Sequence, residues 1–303
     1  MAIQVVRPGM LTTVQDAGRW GWQSLGVPVA GPMDWYSYQL ANRLVGNPPD
    51  AAALEVTAIG PELLFERPAR VATSGAGFSI RLGDEALALD VAHEIESGAS
   101  LRFGERRGGA RGYLAVAGGI DVPLVLGSRS THLLSAMGGC DGRALRVGDR
   151  LPTGVAPADW VGVPGGRSLP MPAGGARVRI LAGPAEDGVE TALRRLTGSR
   201  YLVGAESDRM GYRLEGPDVC ERAGDLISEA TVPGAIQIPP SGQPIVLMAD
   251  RQPTGGYPTV ASVITADQPI VGQLLPGDWI EFELCGRRTA LEALRARAAS
   301  LGA

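Results

Sequence analysis

Two tandem β-barrels with a few short helices are the fold that this sequence predicts, and three observations predict it. Gly and Pro supply 43 and 23 of the 303 residues, beside 45% apolar and 20% charged residues, a composition suited to many short strands and tight turns around two ordinary cores. Short apolar runs recur at intervals of roughly ten residues. A Gly/Pro-rich stretch without periodicity then cuts the chain nearly in half, with similar turn motifs before and after it. The division expected is an N-terminal domain over 1–155, a linker over 156–176 and a C-terminal domain over 177–303.

The first helix falls at 34–45, where Asp34 caps, Leu40, Ala41 and Leu44 share a face, and Gly46-Asn47-Pro48 stops the helix. Strand runs follow at 69–74, 78–82, 86–91, 100–103 and 112–117. The linker carries Pro157, Pro164, Pro170 and Pro172 among several glycines. Beyond it, strands are expected at 177–181, 235–238, 245–249, 259–264 and 279–284. Helices are expected at 186–196, through Val189, Leu193 and Leu196, and from 289, with Leu291, Leu294, Ala298 and Leu301 on one stripe.

The two halves echo one another. A β run, a glycine pair and a proline occur at 112–123 and again at 245–258, and Val147-Gly148-Asp149 matches Pro276-Gly277-Asp278. A duplicated barrel accounts for both echoes, and two barrels side by side would leave a cleft, the usual place for a ligand. The connections are too short for repeated βαβ crossovers, and Gly75-Ala76-Gly77 lacks the third glycine and following helix of a dinucleotide fingerprint.

Composition removes several chemistries. All 28 basic residues are arginine, so no Walker lysine, Schiff-base lysine or biotinylation site exists. Net charge is −4 and no long basic run occurs, so nucleic acid is not an expected partner. The first residues lack a basic head and apolar run, and no apolar stretch approaches the ~20 residues of a membrane helix, so no membrane association and a cytoplasmic location are expected. Cys140, Cys220 and Cys285 lie far apart and read as reduced, buried thiols. With two histidines, His93 and His132, neither in a zinc-protease pattern, no metal site is expected.

The informative polar residues sit in rigid Gly/Pro contexts. Gln15, Asp16 and Arg19 place an amide, a carboxylate and a guanidinium around Gly18, with an Asp16–Arg19 turn pair as the plainer reading. Arg209 and Arg213 suit bidentate capture of a carboxylate or phosphate, in competition with salt bridges to Asp208 or Glu215. Alternation aims Gln237 away from Ile236 and Ile238, toward solvent or a polar cavity. An apolar run delivers Asp250 to the loop Arg251-Gln252-Pro253-Thr254-Gly255-Gly256-Tyr257-Pro258. There Asp250 suits a proton acceptor, and Thr254, the Gly255 and Gly256 amides and Tyr257 suit donors to an oxyanion, unless Asp250 simply pairs with Arg251.

Seven segments in one order, Gln15-Asp-x-Gly-Arg19, Gly31-Pro-Met-Asp34 with Ala41-Asn42, Ala52-Ala-Leu-Glu55, Gly127-Ser-x-Ser-Thr131, Ser207-Asp-Arg-Met-Gly-Tyr-Arg213, Gly234-Ala-Ile-Gln237 and Thr254-Gly-Gly-Tyr-Pro258, resemble the biotin-dependent carboxyltransferase family, also called allophanate hydrolase subunit 2. The resemblance runs from about residue 3 to about residue 285. Pro253 departs from the family's more usual Thr-Thr-Gly-Gly-Tyr-Pro, removing one hydroxyl and one amide donor. The family implies two cyclophilin-like barrels and a partner, the family's B subunit; its A subunit is a further one.

The family's members imply three activities. The first is that of the C subunit of an ATP-dependent 5-oxoprolinase, activating the lactam of 5-oxoproline, with ATP held together with the B subunit. In it Asp250, Tyr257 and Arg209 are catalytic, and Gln15, Asp16, Arg19, Arg213, Gln237, Thr254, Gly255 and Gly256 bind substrate. The second is carboxyl transfer to urea or a related amide, which alone needs biotin, carried on another chain. The third is a non-catalytic regulatory partner of a kinase inhibitor.

Overall fold

A computed structural model describes residues 2–158, 160–162, 168–184, 189–219 and 228–302. The fold comprises two compact units, Met1–Arg19 with Ala30–Met171, and Trp20–Val29 with Pro172–Ala303. The boundary after Met171 falls within the expected linker, whereas the short segment Trp20–Val29 groups with the second half.

The first unit holds β1 (Ala2–Arg7), β2 (Leu11–Gln15), α1 (Trp35–Leu44), β3 (Ala53–Thr57), β4 (Glu62–Phe65), β5 (Ala69–Gly75), β6 (Phe78–Leu82), β7 (Glu85–Leu87), β8 (Ala92–Ile95), β9 (Ser100–Arg106), β10 (Arg111–Val116) and β11 (Arg150–Pro152). They form a six-stranded sheet, β11-β1-β4-β9-β6-β7, and a five-stranded sheet, β2-β3-β10-β5-β8. Ile3, Val5, Leu63 and Phe65 of the first and Val14, Leu54, Val56 and Leu114 of the second share one buried core. Of the run expected at 86–91 only Ala86 and Leu87 are strand, as the end of β7; Asp90 takes a left-handed backbone (φ 59°), and β8 starts beyond it at Ala92.

Helix α1 follows its expected signals. The Asp34 carboxylate accepts from the Ser37 amide at 2.9 Å and the Ser37 hydroxyl at 2.6 Å, and Leu40, Ala41 and Leu44 are buried. At its end Gly46 adopts φ 80°, and a β-carbon there would lie 2.4 Å from the Trp160 ring. Trp160, in the expected linker, is further held by the Arg70 guanidinium 3.7 Å above its ring.

The second unit holds β12 (Gly175–Ala182), α2 (Val189–Thr197), β13 (Arg200–Val203), β14 (Gly211–Glu215), β15 (Glu229–Ala230), β16 (Ala235–Gln237), β17 (Ile245–Leu247), β18 (Thr254–Gly255), β19 (Thr259–Val263), α3 (Gln268–Val271), β20 (Trp279–Leu284) and α4 (Arg287–Leu301). Seven strands close into a barrel in the order β12-β19-β16-β17-β14-β13-β20, with β12 and β20 parallel. Alternate residues Val178 and Ile180, Tyr201 and Val203, Tyr212 and Leu214, and Ile280 and Phe282 are buried in it. Residues 186–188 of the expected helix at 186–196 lie outside the described residues. The stripe expected on α4 is not covered: Leu291 is exposed, Leu294 and Ala298 are half-buried, and only Leu301 is buried.

The Gly-Asp echo is one device used twice. Gly148 N–H donates to Val5 O and Val5 N–H to Asp149 O, each at 2.8 Å; Gly277 N–H donates to Val203 O and Val203 N–H to Asp278 O, also at 2.8 Å. Both glycines are left-handed, at φ 88° and 91°. The glycine-pair echo does not hold this way. Gly118 and Gly119 are left-handed, whereas Gly255 lies in β18, paired with β15, and has no positive φ.

Cys140 and Cys285 are free, half-buried thiols whose pKa burial pushes up; Cys220 lies outside the described residues. His93 contacts Ala88 O at 2.8 Å and His132 contacts the Ser135 hydroxyl at 2.6 Å. No group of three or more potential ligands for a metal ion occurs among the described residues. No helix among them is long and apolar enough to cross a membrane.

Candidate functional site

The candidate residues fall into two clusters, one in each unit. In the first unit, Gln15 ends β2, and Asp16 and Arg19 follow in the turn. Asp16 and Arg19 do not rely on each other. The Asp16 carboxylate accepts from the Ser128 and Ser130 hydroxyls, both at 2.6 Å, from the Gly18 amide at 3.0 Å and from the Arg129 amide. Arg19 donates to Val125 O at 2.8 Å and Ser130 O at 2.9 Å. Both side chains thus lash the turn to the 125–131 loop, and Gly138 leaves room for it, since a β-carbon there would stand 2.7 Å from Arg19 Nη2.

Gln15 is different. Its Nε2 donates to Thr131 O at 3.1 Å and Thr13 Oγ1 at 3.0 Å, and the backbone acceptor fixes which end of the amide carries nitrogen. Its Oε1, fully buried, has no hydrogen-bond partner. An orphaned buried carbonyl is a ready acceptor for an N–H donor.

In the second unit the loop after β17 gathers the other candidates. Arg209 donates from Nε to Asp250 Oδ2 and from Nη2 to Asp250 Oδ1, each at 2.9 Å, and the Asp250 amide donates to Arg209 O at 2.8 Å. This two-pronged pair is about 95% buried on both sides. The expected alternative, Asp250 paired with its neighbour Arg251, is therefore replaced by a pair made across the barrel strands. Each Asp250 oxygen keeps lone-pair capacity for a further donor.

Arg213 does not join Arg209. Its side chain is exposed, 3.8 Å from Glu206, and lies on a groove of about 430 Å³ with Glu215, Pro239 and Gln243. The physical reason is strand alternation: Tyr212 and Leu214 point into the barrel, so Arg213 on β14 points out. Asp208 accepts from the Met210 amide at 2.8 Å, forming the turn before β14 rather than an arginine pair.

Gln237 is 4% exposed, although Ile236 beside it is also buried, so both faces of β16 are covered. The cover on its face is the loop itself: a β-carbon on Gly255 would lie 2.8 Å from Gln237 Nε2 and 3.3 Å from Oε1. Gly255 is thus what lets the amide lie flat against the loop. No protein hydrogen bond engages the Gln237 side chain among the described residues. Thr254 and Tyr257 are exposed, and Thr231 ties the loop by donating its amide to Pro253 O at 2.9 Å and its hydroxyl to Gln252 O.

One residue that the sequence left as a bystander stands out. Arg251 is 6% exposed, its Nε is sealed from solvent without a partner, and no carboxylate or aromatic ring meets its guanidinium among the described residues. Burial lowers its pKa to about 10. The only sequence signal was its place beside Asp250, and that signal suggested the wrong partner.

The closed barrel thus carries a buried Arg-Asp pair and a buried, unpaired amide against a Gly-Gly loop. The family model for the carboxyltransferase domain, subdomain A and B, matches residues 25–284, and the chain belongs to this family. It is 41% identical over 294 residues to the C subunit of 5-oxoprolinase from Escherichia coli, covering 96% of this chain and 94% of that one. To the Haemophilus influenzae protein of the same name it is 33% identical, covering 93% of this chain and 91% of that one. The crystal structure of Kluyveromyces lactis urea amidolyase superposes with a TM-score of 0.91 at 33% identity, over 99% of this chain but only 20% of that one.

Proposed function

We propose that the chain is the C subunit of an ATP-dependent 5-oxoprolinase and acts with a B subunit to activate the lactam of 5-oxoproline. The observation that carries this reading is the end-to-end similarity to the Escherichia coli protein of that name. The geometry supports it. A lactam presents one N–H and one C=O, and the second unit offers an acceptor at Asp250 and donors at the Gln237 amide and Tyr257 hydroxyl.

In this reading the lactam oxygen attacks the γ-phosphorus of ATP, forming an O–P bond as the bond to the ADP oxygen breaks. The lactam N–H proton passes to a base, for which Asp250 is the candidate, leaving a ring C=N and an O-phosphorylated carbon. Water then adds at that carbon and the C–N bond breaks, the ring nitrogen leaving as the amine to give an acyl phosphate; a second water displaces phosphate to give glutamate, steps assigned to a further polypeptide. ATP is a substrate here, and its seat is shared with the partner. The N-terminus of α1 is a poor phosphate cradle, because the Asp34 carboxylate already caps it through the Ser37 amide.

The test is co-expression with candidate A and B subunits, followed by an assay of glutamate release. ATP-dependent glutamate formation that needs all three chains is expected; none from the complete assembly removes the reading. A second reading, carboxyl transfer to urea or a related amide, is favoured by the superposition on urea amidolyase. It requires carboxybiotin borne on another chain, since this one has no lysine to carry biotin. Decarboxylation of free carboxybiotin by the purified chain would favour it over the first.

A further inference from the structure

We propose that Arg251 is the seat for an anionic group of the ligand, a carboxylate or phosphate, at the foot of the loop that Gln237 closes from the other side. Under the 5-oxoprolinase reading, on which this assignment rests, the group is the carboxylate of 5-oxoproline.

The argument begins with charge balance. The second unit holds two arginines expected to clamp an anion, Arg209 and Arg213, and a third, Arg251, that was not. Arg209 spends its fork on Asp250, and Arg213 is exposed on the opposite side of its strand. Arg251 is as deeply buried as Arg209, yet has neither counter-charge nor side-chain hydrogen bond among the described residues. Taking an uncompensated guanidinium out of water costs several kcal/mol, and arginine stays charged rather than escaping by deprotonation at neutral pH. With a pKa near 10, it remains a cation throughout the physiological range.

Two further features fit a partner supplied by a ligand. The Nε is sealed without a partner, whereas neither outer guanidinium nitrogen is both sealed and unpartnered, which leaves the fork as the end for a ligand to meet. Gln237 on β16, a deeply buried polar side chain that makes no protein hydrogen bond among the described residues, lies against Gly255, four residues beyond Arg251. A loop with an unpaired cation at one end and an unpaired amide against the other is complementary to a small ligand with an anionic and an amide end.

The test uses Arg251→Met and Arg251→Gln in the full chain, with Arg288→Met on exposed α4 as the charge-loss control. Thermal midpoints are measured at constant ionic strength with added acetate or inorganic phosphate. The expected result is a rise in wild type and the control and none in either Arg251 variant; equal shifts in all four overturn the proposal. Calorimetric titration of the co-expressed assembly then separates the sources. 5-oxoproline should bind roughly 10- to 100-fold more weakly after Arg251→Met, as loss of a charge-assisted hydrogen bond predicts, whereas 2-pyrrolidinone, the same lactam without a carboxylate, should be unaffected. If ATP binding weakens and 5-oxoproline binding does not, the anion is a phosphate and the carboxylate assignment is overturned. If 5-oxoproline binds wild type and variants alike, Arg251 is not its seat and the 5-oxoprolinase reading stands. If wild type fails to bind 5-oxoproline while the acetate response still depends on Arg251, the seat stands and that reading falls.

Discussion

Arg209 and Arg251 are buried to the same degree, at 5% and 6% exposure, and the structure gives them opposite energetic signs. Removing Arg209 strands Asp250, and breaking a buried pair from either side costs about 3–5 kcal/mol. Removing both partners strands neither. Urea unfolding should therefore show Arg209→Met and Asp250→Leu each strongly destabilised and the double variant less affected than either; simple addition of the two losses would show that the pair is not coupled. Arg251→Met, by contrast, should unfold at higher urea than wild type in the absence of ligand. At this scale the sequence displayed the residue types in the right loop but not their pairing. Asp250 was flanked by Arg251 in sequence, and the fold brought Arg209 to it from the turn before β14, a contact that spacing along the chain does not encode.

Among the elements, α1 was legible because its signals are local: a cap, an apolar face and a Gly-Asn-Pro stop. Asp34→Ala removes the acceptor of both Ser37 bonds and should cost about 1–2 kcal/mol in chemical denaturation, with Asp34→Ser recovering most of it. An unchanged midpoint for the alanine variant would show the cap to be dispensable. Strands β2 and β3 were not legible as strands, and the cause is the same buried polarity that makes them useful. Thr12, Thr13, Gln15 and Glu55 are all buried, which hides any apolar alternation. Glu55 is met by groups distant in sequence, accepting from the Met33 amide at 2.8 Å and the Tyr113 hydroxyl at 2.7 Å, with the Arg111 guanidinium 3.9 Å away. Burial and the Glu55 charge push the Tyr113 pKa up, so that hydroxyl stays protonated and keeps donating.

Across the whole molecule, what the sequence displayed best was the repetition of one turn, in which a left-handed glycine and an aspartate fasten a strand from elsewhere in the same unit. The two copies differ in their electrostatics, and the difference is testable. Asp278 accepts the Leu275 amide at 2.9 Å, whereas Asp149 accepts the Arg146 amide at 2.7 Å and also both arms of Arg143, at 2.7 and 2.9 Å. The Arg143 bonds, working against desolvation and helped by the Arg146 amide, hold the Asp149 carboxyl below its usual pKa. A carboxylate with a depressed folded pKa adds stability that is complete above the unfolded value of about 4 and is lost as pH falls through the folded one. Asp149→Asn should therefore cost about 1–2 kcal/mol at pH 5–7, the pair being partly solvent-screened, with the deficit shrinking steadily below about pH 4. Because Asp149 O accepts from Val5, the loss should register as faster amide exchange in β1 and its neighbour β11, which hydrogen-exchange mass spectrometry resolves peptide by peptide. A deficit that persists undiminished to pH 2.5 would mean that the asparagine disturbs the turn by its shape, and that the Arg143–Asp149 charge pair contributes nothing to holding the first unit together.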